Sequence, residues 1–242
     1  MVAHKIVSHD EWVAARKKHL AKEKEFSHLR DQLSRERREL PWELVDKEYI
    51  FEGERGRLSL HDLFEGRSQL VIYHGMFNPP TAGPHTTWTA DAACYACSWW
   101  MDNFNGITIH LNHRDITMVA VSRAAYPAIA AYKKRMGWSF PWYSSAGSDF
   151  NFDYHVSFTP EQMNAGKAEY NYQLIPLSMT ELPGISVFFK DGDNIYHTYS
   201  TYTRGLDMLN VAYHYMDLVP KGRDEGPDGL GTWVRRHDEY PD

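Results

Sequence analysis

Cysteine is nearly absent from this chain: 242 residues hold two, Cys94 and Cys97. That scarcity excludes a disulfide-stapled scaffold, and the lack of a second cysteine pair excludes a four-cysteine zinc site. No uninterrupted apolar run approaches the ~20 residues that span a bilayer, so no membrane partner is expected. Residues 1–12 lack the basic-then-apolar order of a secretory leader. A cytoplasmic location is therefore expected, where a cysteine pair is more often catalytic or metal-binding than structural. Basic excess is missing as well: the net charge is −6, which gives no reason to expect nucleic acid as a partner. Neither standard glycine-rich phosphate loop occurs, and no cofactor is assigned. Ser144, Ser145 and Ser148 lie near Asp149, but no G-x-S-x-G elbow follows a strand there.

What the chain does contain is ample core material, with 43% hydrophobic and 14% aromatic residues. Its two cysteines stand three apart in Cys94-Tyr95-Ala96-Cys97, followed by Ser98-Trp99-Trp100-Met101. If a helix begins at or just after Cys94, both sulfurs fall in its first turn. Unpaired N–H groups and the positive end of the helix dipole favour an anion there, so the first thiol becomes acidic. The second is near enough to attack a mixed disulfide formed on the first. Other readings stay open. The pair can be two inert core thiols, or half of a Cys2His2 metal site, since the chain has 13 histidines. No histidine pair has finger-like spacing, however; His110 and His113 are one residue too close. No metal is assigned.

Along the chain, residues 8–40 read as a long charged helix opened by the capping box Ser8-His9-Asp10-Glu11. Phe26, Leu29 and Leu33 share one face, a stripe for docking on the body or on a second copy of the chain in a homo-oligomer. Residues 49–51 suggest a short strand and 58–64 a helix stopping at Gly66. The nearly continuous apolar runs 70–74 and 117–122 read as strands buried on both faces. Residues 124–136 read as a helix closed by Gly137. Strand, cysteine helix, strand and helix alternate, which implies a right-handed crossover and a parallel pair. Ser122 and Arg123 then finish their strand on the edge that holds the cysteines, and Arg123 becomes a candidate neighbour of the thiolate. Residues 138–158 read as an irregular aromatic excursion packed on the core, with a substrate wall as the alternative. Residues 159–181 read as polar loop, 185–190 and 195–201 as a hairpin, 206–218 as a closing helix and 220–242 as an extended tail. The expected domains are 1–40, a helical extension; 41–219, the α/β body; and 220–242, the tail.

Several strings are distinctive: Leu60-His61-Asp62-Leu63-Phe64-Glu65-Gly66-Arg67, His110-Leu111-Asn112-His113-Arg114-Asp115, Leu182-Pro183-Gly184, His197-Thr198-Tyr199-Ser200 and Trp233-Val234-Arg235-Arg236-His237-Asp238. In these the chain resembles a bacterial family of thioredoxin-like proteins of unknown function, grouped as predicted dithiol–disulfide oxidoreductases. The resemblance implies an α/β, thioredoxin-like three-layer fold with a central mixed sheet. To it are added the long N-terminal helix, an insert before the C-x-x-C and the extended C-terminal tail. It implies Cys94 as attacking thiol and Cys97 as resolving thiol; Arg123, placed by the strand order, is expected to hold the thiolate form. Trp99, Ser122, Pro183 and Gly184 are the expected substrate-binding residues. The implied partner is a disulfide-containing protein or a small-molecule thiol. Thioredoxins carry a cis-proline before the hairpin; here Gly184 takes that register and Pro183 lies one residue early. The long insert before Cys94 brings Trp88 and His85 towards the site. The rival functions are a thiol peroxidase, and a metal or small-molecule binding module using Cys94, Cys97 and a histidine such as His85.

Overall fold

The computed structural model of the protein describes residues 4–78, 88–227 and 229–241. It divides into two compact units, Met1–Pro41 and Trp42–Asp242. The first unit carries one helix, α1 (His9–Arg38). The Ser8 hydroxyl accepts the Glu11 N–H at 3.4 Å while the Glu11 carboxylate accepts the Ser8 N–H at 3.0 Å, completing the expected box. Asp10 and Glu11 in the first turn and Arg35, Arg37 and Arg38 in the last suit the helix dipole. No residue of α1 is buried, and Phe26, Leu29 and Leu33 stand exposed.

The second unit begins with β1 (Glu43–Leu44), β2 (Ile50–Gly53), β3 (Gly56–Ser59) and β4 (Gln69–His74). Next come α2 (Tyr95–Met101), α3 (Thr108–Asn112), β5 (Ile116–Ser122), α4 (Tyr126–Arg135) and β6 (Trp142–Ser144). It continues through α5 (Phe150–Asp153), α6 (Pro160–Ala165), β7 (Lys167–Tyr170) and β8 (Gln173–Pro176). It ends with β9 (Gly184–Asp191), β10 (Asn194–Tyr202) and α7 (Val211–Met216). Eight strands form one mixed sheet in the order β1-β10-β9-β4-β5-β6-β2-β3, while β7 and β8 pair separately.

The apolar strands β4 and β5 lie at the centre, parallel, with Leu70 opposite Thr117 and His74 opposite Val121. Parallel neighbours need a crossover, and the chain between them supplies it through α2. On its other side β4 pairs antiparallel with β9, which pairs antiparallel with β10. The order β5-β4-β9-β10, with the cysteine helix between the parallel strands, is a thioredoxin-like arrangement. Alternate residues of the central strands serve opposite faces. Tyr73, Met118 and Ala120 join α2 and α4, whereas Leu70, Ile72, Val119 and Val121 pack with Phe51, Leu63, Phe64 and Phe150.

Four segments depart from expectation. The aromatic stretch 138–158 contains β6, a third parallel strand with Ala120 opposite Trp142. Trp138, Phe140 and Trp142 pack on one face of the sheet, Tyr143, Phe150 and Tyr154 on the other, and Phe158 in a third cluster, which fits packing. Residues 159–181 hold α6, capped reciprocally by Thr159 and Gln162, and the β7–β8 hairpin. Residues 58–64 form the end of β3 and a 3₁₀ turn, Asp62–Phe64, rather than a helix. The closing helix is broken at Asn210, whose side chain accepts the Ala212 N–H at 3.0 Å and starts α7 afresh. The C-terminal segment has little regular structure beyond the 3₁₀ turn Gly229–Thr232, yet Val234 is fully buried. Arg135 fixes it with an ion pair to Asp238 at 2.6 Å.

Gly184, at the start of β9, is packed too tightly for a side chain. A Cβ there would meet the Tyr202 ring at 2.8 Å and Val156 at 3.0 Å. Tyr202 is buried and its hydroxyl donates to the Tyr154 carbonyl, so the ring has little room to yield. Gly184→Ala is predicted to cost about 1–3 kcal/mol in stability. Urea denaturation checks this; an unchanged midpoint would show that the ring moves aside freely.

Candidate functional site

Beyond His74 the chain keeps the direction of β4 for a few residues, and these organise the cysteines. The Gly75 N–H donates to the Val121 carbonyl at 2.9 Å, and the Ser122 hydroxyl donates to the Gly75 carbonyl at 2.6 Å. Met76 takes both ends of the C-x-x-C. Its carbonyl accepts the Cys94 N–H at 3.0 Å and its N–H donates to the Cys97 sulfur at 3.3 Å. Cys94 is the N-cap of α2, and its carbonyl accepts the Ser98 N–H at 2.9 Å. The pair therefore sits at a helix start, as the spacing predicts.

Both cysteines are 0% exposed, so the thiol pair lies beneath the surface. The cover is local in part: Trp99 and Trp100 follow the pair on α2, and Trp99 meets Tyr213 at 4.8 Å and Trp233 at 5.0 Å. The C-terminal segment supplies more, since the Arg236 guanidinium donates twice to the Ala93 carbonyl, at 2.9 and 2.6 Å.

Burial differentiates the groups. It pushes the Cys97 thiol well above its usual value, and hydrogen bonding to Cys94 and the charge there push it further. The Tyr73 hydroxyl and the Met76 N–H oppose this by favouring the thiolate. Cys97 thus keeps its proton at neutral pH. Arg123 follows β5, with its guanidinium carbon 4.4 Å from the Phe152 ring centre and its Nε buried without a hydrogen-bond partner among the described residues. The group it acts on most visibly is Glu181, a buried carboxyl absent from the sequence reading. Burial raises Glu181 to about 8; the Arg123 charge, the Ser157 hydroxyl and the Phe77 N–H lower it, and the Cys94 charge raises it. Ser157 Oγ donates to Glu181 Oε1 at 3.2 Å. No pattern in the sequence marks Glu181: one acid ahead of Leu182-Pro183 looks like any polar loop residue, and its burial comes from a bridge between Ser157 and Glu181.

The remaining expected residues separate. Ser122 is buried and consumed by structure, donating to Gly75 and accepting the Trp142 Nε1–H at 3.0 Å. Pro183 and Cys97 both border a cavity of about 350 Å³, walled further by Tyr73, Met76, Trp100 and Leu206. Tyr170 donates to the Pro183 carbonyl at 2.6 Å, and no cis peptide bond occurs among the described residues. Gly184 begins β9 opposite His74. His74 is a core histidine bonded to Ser186 Oγ at 2.9 Å, and burial together with the His197 charge lowers it to about 3. Trp88 is buried, while His85 lies outside the described residues. Among the described residues no group of three or more His, Cys, Asp or Glu is gathered to hold a metal ion, and no helix is long and apolar enough to cross a membrane.

Glu181 makes stability depend on pH. Its carboxyl binds its proton more tightly folded than unfolded, so stability falls as pH rises from the ordinary carboxylate range towards 8. Glu181→Gln is predicted to be more stable than the parent at pH 8, by on the order of 3–5 kcal/mol. That advantage should shrink as pH falls towards 4.5. Urea titrations across pH check it; a constant difference between the two chains would contradict it.

Among solved structures the chain is similar to peroxiredoxin Q of Xanthomonas campestris, at 12% identity and TM-score 0.45, over 72% of this chain and 93% of that one. It is also similar to peroxidoxin BcpB of Mycobacterium tuberculosis, at 12% identity and TM-score 0.45, covering 71% and 94%. The mitochondrial 2-cys peroxiredoxin of Plasmodium falciparum matches at 12% identity and TM-score 0.41, covering 72% and 92%. No curated protein matches. A family model matches residues 1–240, and the chain thereby belongs to DUF899, a family of bacterial proteins of unknown function.

Proposed function

We propose that this protein is a thiol–disulfide oxidoreductase in which Cys94 attacks and Cys97 resolves. The observation that carries the reading is the asymmetry of the pair. Cys94 caps α2, whereas Cys97, one turn later, is hydrogen-bonded to it and kept protonated by burial. The Cys94 thiolate attacks a disulfide, forming a mixed disulfide and expelling one thiolate. Cys97 then loses its proton and attacks the Cys94 sulfur, expelling the second thiolate and leaving Cys94 joined to Cys97. The dithiol gives up two electrons and the substrate disulfide takes them. Substrates of this class are a disulfide-containing protein or a small-molecule disulfide. Because both sulfurs are covered, attack requires displacement of the side chains above them.

In a glutathione redox series the parent chain is predicted to form a Cys94–Cys97 disulfide, read as protection of both thiols from alkylation after acid denaturation. Cys97→Ser should instead accumulate glutathione on Cys94, and Cys94→Ser should accumulate none. Two thiols still alkylated in the most oxidising buffer would overturn the reading.

A further inference from the structure

The exchange reading leaves the long helix α1 (His9–Arg38) without a role. It is 30 residues long and buries none of them. A helix owes most of its stability to an apolar face packed against something, since propensity alone supports a lone helix only marginally. Here that face stands open: Trp12, Phe26, Leu29 and Leu33 are exposed. Trp12, Phe26 and Leu33 are separated by multiples of seven, and Leu29 lies three after Phe26 and four before Leu33. This is the spacing of a coiled-coil seam, with Trp12, Phe26 and Leu33 at heptad position a and Ala15 and Leu29 at position d.

The residues flanking that seam say what it pairs with. In a parallel pair of identical helices each g residue faces the e residue five places on in the other helix. Glu11 then meets Arg16 of the second copy, Lys18 meets its Glu23, Glu25 its Arg30 and Gln32 its Arg37. Three of these pairs are opposite in charge, and none sets like charges together. An antiparallel alignment with Phe26 against Leu29 would instead set Arg16 against Arg37. The e positions already line up along one side of α1, since the Arg16 guanidinium reaches the Glu23 carboxylate, seven residues on, at 2.8 Å. His19, Lys22 and Glu36 interrupt the seam, and polar residues there cost stability while restricting register. The apolar contact is therefore concentrated over residues 26–33.

We propose that α1 pairs with α1 of a second copy of this chain, parallel and in register, so that the protein is a homodimer joined by a short two-stranded coiled coil. The flanks of the seam alternate in sign and complement themselves. An acidic or basic partner would instead call for flanks of one sign, and an anionic membrane surface for basic ones, yet Glu11, Glu23 and Glu25 border the seam. The pairing goes beyond the exchange reading and does not depend on it.

Sedimentation of the full-length protein at micromolar concentrations tests this, and the expected species is a dimer. Phe26→Glu and Leu33→Glu should each raise its dissociation constant about tenfold or more. Leu20→Glu, at an exposed position off the seam, should leave it unchanged. Glu25→Arg should weaken the dimer, and adding Arg30→Glu should restore it, because the flanking pair is again opposite in sign. With Cys94 and Cys97 both replaced by serine, Ala15→Cys should form a disulfide between copies on oxidation, which antiparallel helices could not close. A monomer overturns the proposal and leaves the face to the chain's own body or to an unrelated partner. A dimer indifferent to Phe26→Glu overturns it too, as does failure of Arg30→Glu to restore the Glu25→Arg dimer. None of these readouts uses the native thiols, so their failure leaves the exchange reading standing.

Discussion

Two peptide units, those of Met76 and Phe77, hold four parts of the molecule in one place. Through them the end of β4 is bonded to Cys94, to Cys97, to the Glu181 carboxylate and to the chain leaving β5. A buried main-chain group must find a partner, and here those partners include a thiol and a carboxyl. The sulfurs are therefore positioned by the sheet itself rather than by a surface loop. A shift of β4 relative to β5 would alter the Gly75–Val121 bond and the cysteine geometry together.

Burial gives this arrangement its chemistry and also its cost. In water two thiols three residues apart would differ little. Beneath Trp99, Trp100 and the Arg236-anchored segment, each proton matters, because an ion in a poorly solvated place needs compensation close by. Desolvation accounts for the proton held on Cys97 and for most of the rise at Glu181, while Arg123 supplies the opposing charge. The same physics leaves His74 neutral on the other face of the sheet, where Ser186 satisfies one ring nitrogen and Phe150 stacks on the ring.

Much of this fold is legible in the residues. The apolar runs of β4 and β5, the Ser8–Glu11 box, the Gly137 stop and the hairpin of residues 185–190 and 195–201 are local signals, and each produces the element it predicts. What is not legible is nonlocal. Strand β6 is three residues long within an aromatic stretch, and only its pairing with β5 makes it a strand. The burial of Cys94 depends on residues about 140 positions later, where Arg236 reaches the Ala93 carbonyl. Glu181 is hidden for the same reason, since Ser157 and Phe77 bond it from two separate stretches of chain. Of the residues expected to bind substrate, Ser122 is occupied with structural bonds, and Pro183 reaches the cavity beside Cys97.

The four residues 181–184 concentrate these demands. The Glu181 carboxyl accepts the Ser157 hydroxyl and the Phe77 N–H. Pro183 borders the cavity and gives its carbonyl to the Tyr170 hydroxyl. Gly184 then enters β9 under the Tyr202 ring, where a Cβ would meet it at 2.8 Å. Strand pairing of β9 with β4 fixes Gly184 opposite His74, and that register carries the preceding residues to the cysteine end of the sheet. A one-residue slip of β9 would turn every side chain of the strand to the opposite face and draw Glu181 away from the Phe77 N–H. Sheet register, more than any single side chain, therefore decides where Glu181, Pro183 and Gly184 fall relative to the end of β4.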